Sequence, residues 1–512
     1  MARTPLAQAV EDAAAKFADE NHRTTRRGLL KGAGAAVAGA TVLGRMATPA
    51  RAARSRRNPR IAVVGAGLAG LTAAYRLQQA GYAAEVYEAS DRVGGRCWSG
   101  RGEFDDGQIY EHGGELIDSG HDRVIALAGE LGLALDDLIS AEKPGTELLG
   151  YFFGRKYTVA QMNADFQPVL AQMTDDVNAA GYPTNYNSYT PRGFELDHMS
   201  IYDYIERYVP GGHRSQLGAL LDVAYNIEFG ADTRSQSSLN MLYLIGYSDP
   251  STFTIYGASD EKYHVRGGND QLATGMAARL GSAIRTNLEL TAIRKNGSGF
   301  QLTFHDGLGD HDEDFDHVVL AIPFSIMRRS VDWSRAGFDP VKARAINEMG
   351  MGNNTKLHVQ FGSRFWQKQG SNGATYSDTG YQDTWEVTRA QSGRSGILVD
   401  YTGGAIAVAA GDGTPSDQAR TFLRQLEPVL HGASSKWNGK VTRDHWPSYK
   451  WTRGAYSYWK VGQYTRFSGI EPVRSGNCHF AGEHTSINFQ GYLQGAVQTG
   501  EAAAAEIVAD LA

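Results

Sequence analysis

The chain has 512 residues, of which 42% are hydrophobic and 21% charged, and it carries a net charge of −6 at pH 7. This length predicts two or three domains rather than one, and the near-average composition excludes wholesale disorder. The 50 basic residues give no surplus over the 56 acidic ones, which argues against nucleic-acid binding, and two cysteines exclude a disulfide framework or a Cys-based zinc site.

Residues 1–52 predict a targeting segment that is not part of the fold. Adjacent Arg26 and Arg27 precede 32–44, a run without charge, and 50–52 (Ala-Arg-Ala) have the small-x-small pattern of a cleavage site. The uncharged run is too short to span a bilayer, and no other stretch is long enough to do so. The segment resembles a twin-arginine export signal, which implies a bacterial protein in the periplasm or outside the cell. An Arg-rich N-terminus without a targeting role is the alternative.

The most informative motif follows this segment. Residues 61–64 predict a buried parallel strand and 71–79 have helical apolar spacing, with Gly65, Gly67 and Gly70 around the turn. In such a unit the glycines allow the tight turn, the approach of a pyrophosphate to the backbone, and close packing of helix on strand. The helix N-terminus adds free N–H groups and the positive end of its dipole. The pattern predicts a dinucleotide-binding fold rather than a Gly-rich turn without a ligand.

An acid and an arginine-glycine element come next. Residues 83–87 predict a second strand, which ends in Glu88. The acid follows the glycines at the interval where a carboxylate accepts both ribose hydroxyls, and it argues against the 2′-phosphate of NADP. Residues 92–96 (Arg-Val-Gly-Gly-Arg) would clamp a pyrophosphate with two guanidinium groups. A solvated basic turn would explain one arginine but not the glycine spacing.

Both ends of the chain resemble the FAD-containing amine oxidase family, which includes monoamine, polyamine and L-amino acid oxidases. The family carries the element at 92–96 after its nucleotide motif, and 480–500 resemble its C-terminal flavin element. The resemblance places Glu483 beside the ribityl–pyrophosphate part of FAD. It also implies a helix from about Gly491 whose dipole stabilises reduced flavin. Motifs and resemblance together assign to FAD Gly65, Gly67, Gly70, Glu88, Arg92, Gly94, Gly95, Arg96, Gly114, Glu115, Leu290, Gly482, Glu483, Gly491, Tyr492 and Leu493.

The resemblance implies an α/β protein in which a doubly wound, Rossmann-like FAD-binding domain is interleaved with an α+β substrate domain. The expected FAD-binding pieces are 53–150, 261–345 and 445–512. The expected substrate pieces are 151–260 and 346–444. The resemblance is strong at the ends of the chain and weakest across 140–260.

Three weaker predictions fall in the middle FAD-binding piece. Residues 317–323 predict a buried strand ended by proline, and 288–293 predict its neighbour, with Leu290 near the adenine. The acidic stretch 310–316 predicts a solvated hairpin loop. No histidine pair has the sequence spacing of metal ligands, so no metal site is predicted.

The reaction implied by the family is hydride transfer from the carbon next to nitrogen to flavin N5, where positioning matters most. The resemblance assigns an aromatic cage to Tyr456 and Tyr492, whose rings would leave a slot for the amine. It assigns to Lys356 a water at flavin N5 that speeds the reaction with O₂. Core tyrosines and a surface lysine on an edge strand are the alternatives. Ala455 stands where mammalian monoamine oxidases have a flavin-linked cysteine, so non-covalent FAD is expected.

The sequence defines the substrate less well than the cofactor. Many L-amino acid oxidases have an arginine where this chain has Leu116, which favours a primary amine, diamine or polyamine, with L-amino acids second. Glu115 and Asp118 would attract a distal ammonium, or act only as surface acids or flavin-loop acceptors, and Trp451 is a further candidate contact. The expected products are H₂O₂ and an imine, which water converts to ammonia and an aldehyde or keto acid.

Two other classes share the nucleotide motifs. One is an FAD-dependent desaturase or dehydrogenase of the protoporphyrinogen-oxidase or phytoene-desaturase type, and the other is a non-catalytic flavoprotein. Cys97 and Cys478 are predicted to be buried thiols rather than a disulfide. The expected partners are a small amine or amino acid and O₂, without nucleic acid or a membrane span. The oligomeric state, including a homodimer, is left open.

Overall fold

The computed structural model describes residues 59–247 and 253–512. The predicted export signal, 1–52, lies outside these residues. Within them, no helix combines the length and apolar character needed to cross a membrane. Residues 60–512 pack as one unit, and the boundaries predicted between cofactor and substrate pieces stay predictions.

Strands and helices are interspersed along the chain. The strands are β1 Ile61–Val64, β2 Ala84–Tyr87, β3 Ser99–Arg101, β4 Ile109–Glu111, β5 Leu135–Asp137, β6 Glu147–Phe152, β7 Arg155–Thr158, β8 Tyr263–Val265, β9 Ile284–Arg285, β10 Glu289–Asn296, β11 Gly299–His305, β12 Asp310–Phe315, β13 His317–Leu320, β14 Asp332–Arg335, β15 Gly350–Met351, β16 Asn354–Phe361, β17 Ser371–Ser377, β18 Asp383–Glu386, β19 Gly396–Gly403, β20 Trp437–His445, β21 Ser457–Tyr458 and β22 Cys478–Phe480. The helices are α1 Leu68–Gln79, α2 Asp122–Leu131, α3 Val159–Ala180, α4 Pro191–Asp197, α5 Ile201–Tyr208, α6 Gln216–Phe229, α7 Ser238–Ile245, α8 Asp270–Leu280, α9 Phe324–Ser330, α10 Pro340–Glu348, α11 Gly404–Ala409, α12 Pro415–Leu426, α13 Ala433–Lys436, α14 Tyr464–Phe467 and α15 Leu493–Leu511.

A five-stranded sheet in the order β22-β13-β1-β2-β9 forms the cofactor layer. All its pairs are parallel, and every residue of β1 is buried, as its uninterrupted apolar sequence predicts. Alternate residues of β1 enter two cores. Ile61 and Val63 pack with α1, α2, α8 and α15, whereas Ala62 and Val64 pack with a second sheet and α9. The predicted α/β class with a Rossmann-like layer is confirmed.

The second sheet has the order β12-β11-β10-β14 and corrects two predictions. The segment 288–293, expected beside 317–323, falls in β10 of this sheet instead. The prediction of a hairpin loop at 310–316 is wrong, because 310–315 form β12, antiparallel to β11. The turn lies just before them, where the Asp306 carboxylate accepts two backbone hydrogen bonds. Strand β12 is at the edge of the sheet, so its charged side chains stay hydrated within regular structure.

A mixed sheet of seven strands, in the order β20-β16-β19-β18-β17-β6-β7, forms the third layer. Helices α3–α7 pack against it around Phe152 and Tyr157, which gives the α+β arrangement that was predicted. Every residue of β16 is buried, so Lys356 in its middle is an interior lysine. Strands β18 and β19 carry Trp385 and Tyr401 to the same cavity that Lys356 reaches.

Both cysteines are free and buried. The prediction that Cys97 and Cys478 are buried thiols is therefore confirmed. Burial raises the pKa of each thiol well above its usual value, which keeps them protonated and unreactive at neutral pH.

Candidate active site

One cavity runs from the first strand–helix turn to the third layer. Gly65 has φ +101°, and a Cβ there would lie 2.7 Å from the carbonyl oxygen of Ala321. A Cβ on Gly70 would lie 1.9 Å from the carbonyl oxygen of Gly65, whereas a Cβ on Gly67 would meet no heavy atom within 4 Å. Gly65 thus makes the turn, Gly70 lets helix pack on strand, and the backbone at Gly67 borders the cavity.

Glu88 lines the cavity at the end of β2. Its Oε2 accepts from the backbone N–H of Ala66 at 2.8 Å, and its Oε1 accepts from the N–H and hydroxyl of Ser90 at 2.8 and 2.7 Å. These bonds fix the carboxylate and leave lone pairs for ligand hydroxyls. The backbone N–H of Leu288 donates to the Glu88 carbonyl, which brings β10 and Leu290 to this end of the cavity.

The structure separates the two arginines that flank the glycine pair. Arg96 lines the cavity and donates from Nη1 to Glu483 Oε1 at 2.8 Å. Arg92 does not line it, because its guanidinium donates to the Tyr449 hydroxyl at 2.8 Å and lies 4.0 Å from the centroid of the Trp98 ring. The expectation that both arginines contact a pyrophosphate is therefore corrected. Arg92 packs outside the cavity and supports the turn, whereas Arg96 faces the cavity.

Most residues assigned to the cofactor converge on this cavity. Gly70 and Arg92 support it from outside. Those that line it are Gly65, Gly67, Glu88, Gly94, Gly95, Arg96, Gly114, Glu115, Leu290, Gly482, Glu483, Gly491, Tyr492 and Leu493.

Glu483 joins three segments of the cavity wall. Besides Arg96, its carboxylate accepts from the Ser457 hydroxyl at 2.8 Å and from the Gly491 backbone N–H at 2.9 Å. Burial alone would raise the pKa of Glu483, but the Arg96 charge and these hydrogen bonds outweigh it and lower that pKa. Glu483 is thus an ionised structural anchor that fixes Arg96 and the turn before α15.

Helix α15 directs its N-terminus into the cavity. It begins at Leu493, two residues after the predicted start, and its N-cap residue Tyr492 makes no side-chain cap. Leu493 and Ala496 of the first turn line the cavity. A Cβ on Gly114 would lie 2.7 Å from a terminal methyl group of Leu493, so the backbone at Gly114 packs closely against the first turn of α15. An uncapped helix N-terminus at a cavity wall favours an anionic or electron-rich ligand group.

Tyr456 and Tyr492 both line the far end of the cavity. The Tyr456 hydroxyl donates to the Ile227 carbonyl at 3.0 Å, and the Tyr492 hydroxyl donates to Glu228 Oε1 at 3.0 Å. The hydroxyls of Tyr401 and Tyr456 share a further hydrogen bond of 2.7 Å. Burial raises the pKa of both predicted cage tyrosines, which keeps them neutral. Two consecutive residues of α6 therefore anchor the two phenols at one end of the cavity.

Lys356 reaches the same end with all its donors engaged. Its Nζ donates to Glu115 Oε2 at 2.7 Å, to the Gly113 carbonyl at 2.8 Å and to the Glu111 carbonyl at 3.1 Å. The other carboxylate oxygen of Glu115 accepts from Trp385 Nε1 at 2.9 Å. The surface-lysine alternative is wrong, because this ammonium is buried and fully partnered.

The two acids expected to contact substrate are both used internally. Glu115 lines the cavity but is held by Lys356. Asp118 does not line it, and its carboxylate accepts from the Ser259 hydroxyl and the Glu261 backbone N–H, both at 2.9 Å. The expectation of a substrate contact at Asp118 has no support in this geometry. Trp451 does line the cavity.

Sequence reasoning missed two acids that face this end of the cavity, Glu228 and Glu261. Loss of hydration raises the pKa of Glu228 to about 7, and loss of hydration together with the Asp118 charge raises that of Glu261 to about 8. Glu261 also has φ +49°, a conformation that costs a non-glycine residue energy. An acid near the end of the largely apolar helix α6 was the available signal for Glu228, whereas Glu261, between Asp260 and Lys262, looks like a surface residue in sequence.

The model of the family described as flavin containing amine oxidoreductase matches residues 68–508. The putative L-amino-acid oxidase YobN of Bacillus subtilis is 25% identical over 478 residues, 88% of this chain and 95% of that protein. The putative flavin-containing monoamine oxidase AofH of Mycobacterium tuberculosis is 26% identical over 464 residues, 88% and 96%. The flavin-dependent L-tryptophan oxidase RebO of Lentzea aerocolonigenes is 26% identical over 486 residues, 89% and 99%. The chain belongs to the flavin-containing amine oxidoreductase family, and it is an oxidoreductase that acts on amines.

Solved structures show the same fold. Putrescine oxidase with putrescine bound has a TM-score of 0.74 and 23% identity, with 88% of this chain and 99% of that chain covered. Cyclohexylamine oxidase from Brevibacterium oxydans IH-35A has a TM-score of 0.77 and 22% identity, with 89% and 100% covered.

The cavity fits the flavin cofactor that family membership implies. Its walls offer bare backbone at Gly67, a fixed carboxylate at Glu88, a guanidinium at Arg96 and the uncapped end of α15. These groups suit a pyrophosphate, a ribose and the electron-rich edge of a flavin. The residues present therefore fit a flavin cofactor.

Proposed function

We propose that the protein is an FAD-dependent oxidase whose substrate is a primary amine with a second positive charge, such as a diamine or polyamine. The products would be an aminoaldehyde, ammonia and H₂O₂. The observation that carries the proposal is the pair of carboxyl groups, Glu228 and Glu261, at the cage end of the cavity. A cationic substrate near these carboxyl groups lowers their pKa and so favours their ionised form. The ionised carboxylates in turn attract the cation.

The lining offers no free cation for a carboxylate. Among the described residues, its basic side chains are His484, Arg96 and Lys356. Burial lowers the pKa of His484 to about 4, so its imidazole is neutral. Arg96 is paired with Glu483 and Lys356 with Glu115. A substrate carboxylate next to the reacting carbon would therefore face acids and phenols without a counter-ion, at a large desolvation cost. This favours amines over L-amino acids, which are the second substrate class that the sequence suggests.

The chain's own groups prepare the amine for oxidation. Bound FAD supplies the acceptor for a hydride, which leaves only when the substrate nitrogen is neutral. Glu228, with a pKa of about 7, can take the ammonium proton at neutral pH. Tyr456 and Tyr492 stay neutral and present ring faces that favour the electron-poor hydrogens of the amine. Proton acceptance and positioning are thus assigned to different side chains.

Peroxide release with a matched panel tests the proposal. The panel is 1,4-diaminobutane, n-butylamine and L-ornithine, which share a chain of four or five carbons and differ in charge. We expect the highest kcat/KM with the diamine. Higher kcat/KM with L-ornithine would support an amino acid oxidase. Flavin bleaching without peroxide would indicate a dehydrogenase, and no bleaching with any of them would support the desaturase or binding-protein alternatives.

FAD is proposed to be held without a covalent bond. Ala455 lines the cavity and has no thiol. Cys97 also lines it, but its Sγ contacts the Asn269 carbonyl at 3.2 Å, and burial raises the pKa of its thiol. Acid precipitation should release all the yellow colour into the supernatant. Colour that stays with the pellet would disprove this part of the proposal.

Export by the twin-arginine route, from a bacterial cytoplasm to the periplasm or beyond, is also proposed. It is supported by Arg26 and Arg27 before an uncharged run and the cleavage pattern at 50–52. The test is expression in a bacterium with this route, followed by fractionation. Replacement of both arginines by lysine should keep the protein in the cytoplasm, and unchanged export would exclude the route.

A further inference from the structure

A second cluster of reactive side chains lies at the edge of the cofactor layer, outside the cavity. His317 is on β13, His479 is on the edge strand β22, and Asp510 is in the last turn of α15. One ligand atom from each lies within 4.8 Å of the others, and both histidines are buried whereas Asp510 is exposed. The cluster is thus accessible to solvent from the side of Asp510.

The fold brings together histidines that are far apart in sequence. His479 pairs with Val319, two residues after His317, so both imidazoles lie on the same face of the sheet. Their ring centroids are 5.8 Å apart. Helix α15 covers this face through residues such as Ile507 and so places Asp510 beside them. Sequence spacing cannot reveal such a set, which is why no metal site was predicted.

Both histidines have an unused nitrogen in the interior. His317 Nδ1 and His479 Nε2 are buried and have no hydrogen-bond partner, an arrangement that native proteins rarely leave uncompensated. The other nitrogen of His479, Nδ1, lies 2.6 Å from Glu506 Oε2. A carboxylate on the far nitrogen is the usual companion of a metal-bound histidine, because it fixes the ring and its tautomer.

We propose that His317, His479 and Asp510 bind one divalent transition-metal ion of the Zn²⁺ class, with water completing a tetrahedral shell. Two imidazoles and one carboxylate are a ligand set that Zn²⁺ accepts. Arg474 Nη1 donates to Asp510 Oδ2, which leaves Oδ1 for the ion and weakens the site relative to a free carboxylate.

The ion would have a structural role. It would fasten the C-terminal end of α15 to the edge of the sheet, while the N-terminal end of the same helix borders the flavin cavity. Helix α15 has 19 residues, so the two ends are separated by about 28 Å. The ion would therefore lie far from the groups at the N-terminal end of α15, and its expected effect is on the stability of the helix that forms part of the cavity wall.

The test uses the untagged full-length holoenzyme after chelator treatment and dialysis. ZnCl₂ is titrated by calorimetry, and CoCl₂ serves as a spectroscopic probe because tetrahedral Co²⁺ absorbs at wavelengths beyond the flavin bands. We expect one Zn²⁺ per chain, a higher Tm with Zn²⁺, and Co²⁺ bands of tetrahedral intensity. Zn²⁺ should displace Co²⁺ from the same site.

Three variants separate this site from adventitious binding. Asp510→Asn, at an exposed position, should fold normally and weaken Zn²⁺ binding at least 10-fold. Glu506→Gln, beside a ligand rather than in contact with the ion, should weaken it about 10-fold to 100-fold. Asp310→Asn, beside the exposed His305, is the matched control and should change nothing. Absence of stoichiometric Zn²⁺ binding, or equal affinity in Asp510→Asn and Asp310→Asn, would overturn the proposal.

Discussion

The ammonium of Lys356 lies 2.7 Å from Glu115 Oε2, and each side chain is 6% exposed. This pair explains how a strand with no exposed residue tolerates a lysine, since an isolated interior ammonium would be too costly. It also changes the role assigned to Glu115, which the sequence analysis considers as a group that attracts the distal ammonium of a substrate. The acid is the counter-ion of the lysine and, through Trp385, a fixed part of the cavity wall.

Removal of this counter-ion should destabilise the protein strongly. Glu115→Gln leaves a buried positive charge with only carbonyl partners, so the free energy of unfolding should fall by about 3–5 kcal/mol. Urea unfolding followed by tryptophan fluorescence measures the change. The control is Arg420→Gln, which breaks the exposed Asp417–Arg420 pair but leaves the Asp417 helix cap in place, and it should cost less than about 1 kcal/mol. Equal losses in the two variants would contradict the importance of the buried pair.

Lys356→Met tests the role with O₂ that the sequence resemblance assigns to this lysine, whose three N–H donors are all used by protein groups in the structure. Because methionine retains the length but not the charge, we expect flavin reoxidation in stopped flow to slow at least 10-fold. Anaerobic reduction by amine should change much less, since Tyr456 and Tyr492 remain in place. Lys368→Met, on an exposed turn, is the control. An unchanged reoxidation rate would remove Lys356 from the reaction with O₂.

Activity should rise with pH through the titration of the cavity acids. Glu228 and Glu261 have raised pKa values of about 7 and about 8, so below pH 7 both are largely neutral and attract a dication poorly. We expect kcat/KM for 1,4-diaminobutane to increase between pH 6 and 9 and the increase to shrink in Glu261→Gln. For n-butylamine the same substitution should have a smaller effect. A diamine profile that is flat in both proteins would argue against acid recognition.

The same raised pKa values should make the folded protein less stable as the pH rises, whereas activity should increase. Each acid holds its proton more tightly in the folded chain than in the unfolded one, where its pKa is near 4.5. The resulting stabilisation is fully present below about pH 4.5 and is lost progressively as the pH rises from there through the folded-state pKa values of about 7 and about 8. Without substrate, Tm should therefore fall across this range, and a diamine should restore part of the loss. Glu228→Gln should reduce the pH dependence of Tm.

Two glycines of the nucleotide motif give a matched pair of substitutions. Gly67 has φ −72° and open space around a Cβ, so Gly67→Ala should fold normally and lose FAD affinity at least 10-fold. Gly70→Ala would place a Cβ 1.9 Å from a backbone oxygen and should unfold the turn. Tm and flavin content of the purified proteins measure both effects. A flavin-saturated Gly67→Ala protein would show that the pyrophosphate lies elsewhere.

Sequence patterns predicted the cofactor layer better than the substrate end. Residues 61–64 form a strand because four consecutive apolar residues suit a strand buried on both faces. The same logic failed at 310–316, where charged residues form an edge strand whose side chains remain in water. Arg92 and Arg96 are equivalent in sequence, and only the positions of Tyr449 and Trp98 show that one of them faces away. Glu228 and Glu261 come from distant segments, so their meeting depends on tertiary packing that no local pattern encodes.

Adjacent residues at the end of α6, Ile227 and Glu228, hold the two phenols at one end of the cavity. The positions of the two phenol hydroxyls are therefore set by a helix that belongs to neither tyrosine's own segment. A small rotation of that helix would move both rings together and leave the cofactor layer undisturbed. Substitutions in the residues that pack against α6 would therefore change the size of the amine that the cavity accepts. The residues of the cofactor layer would not have to change.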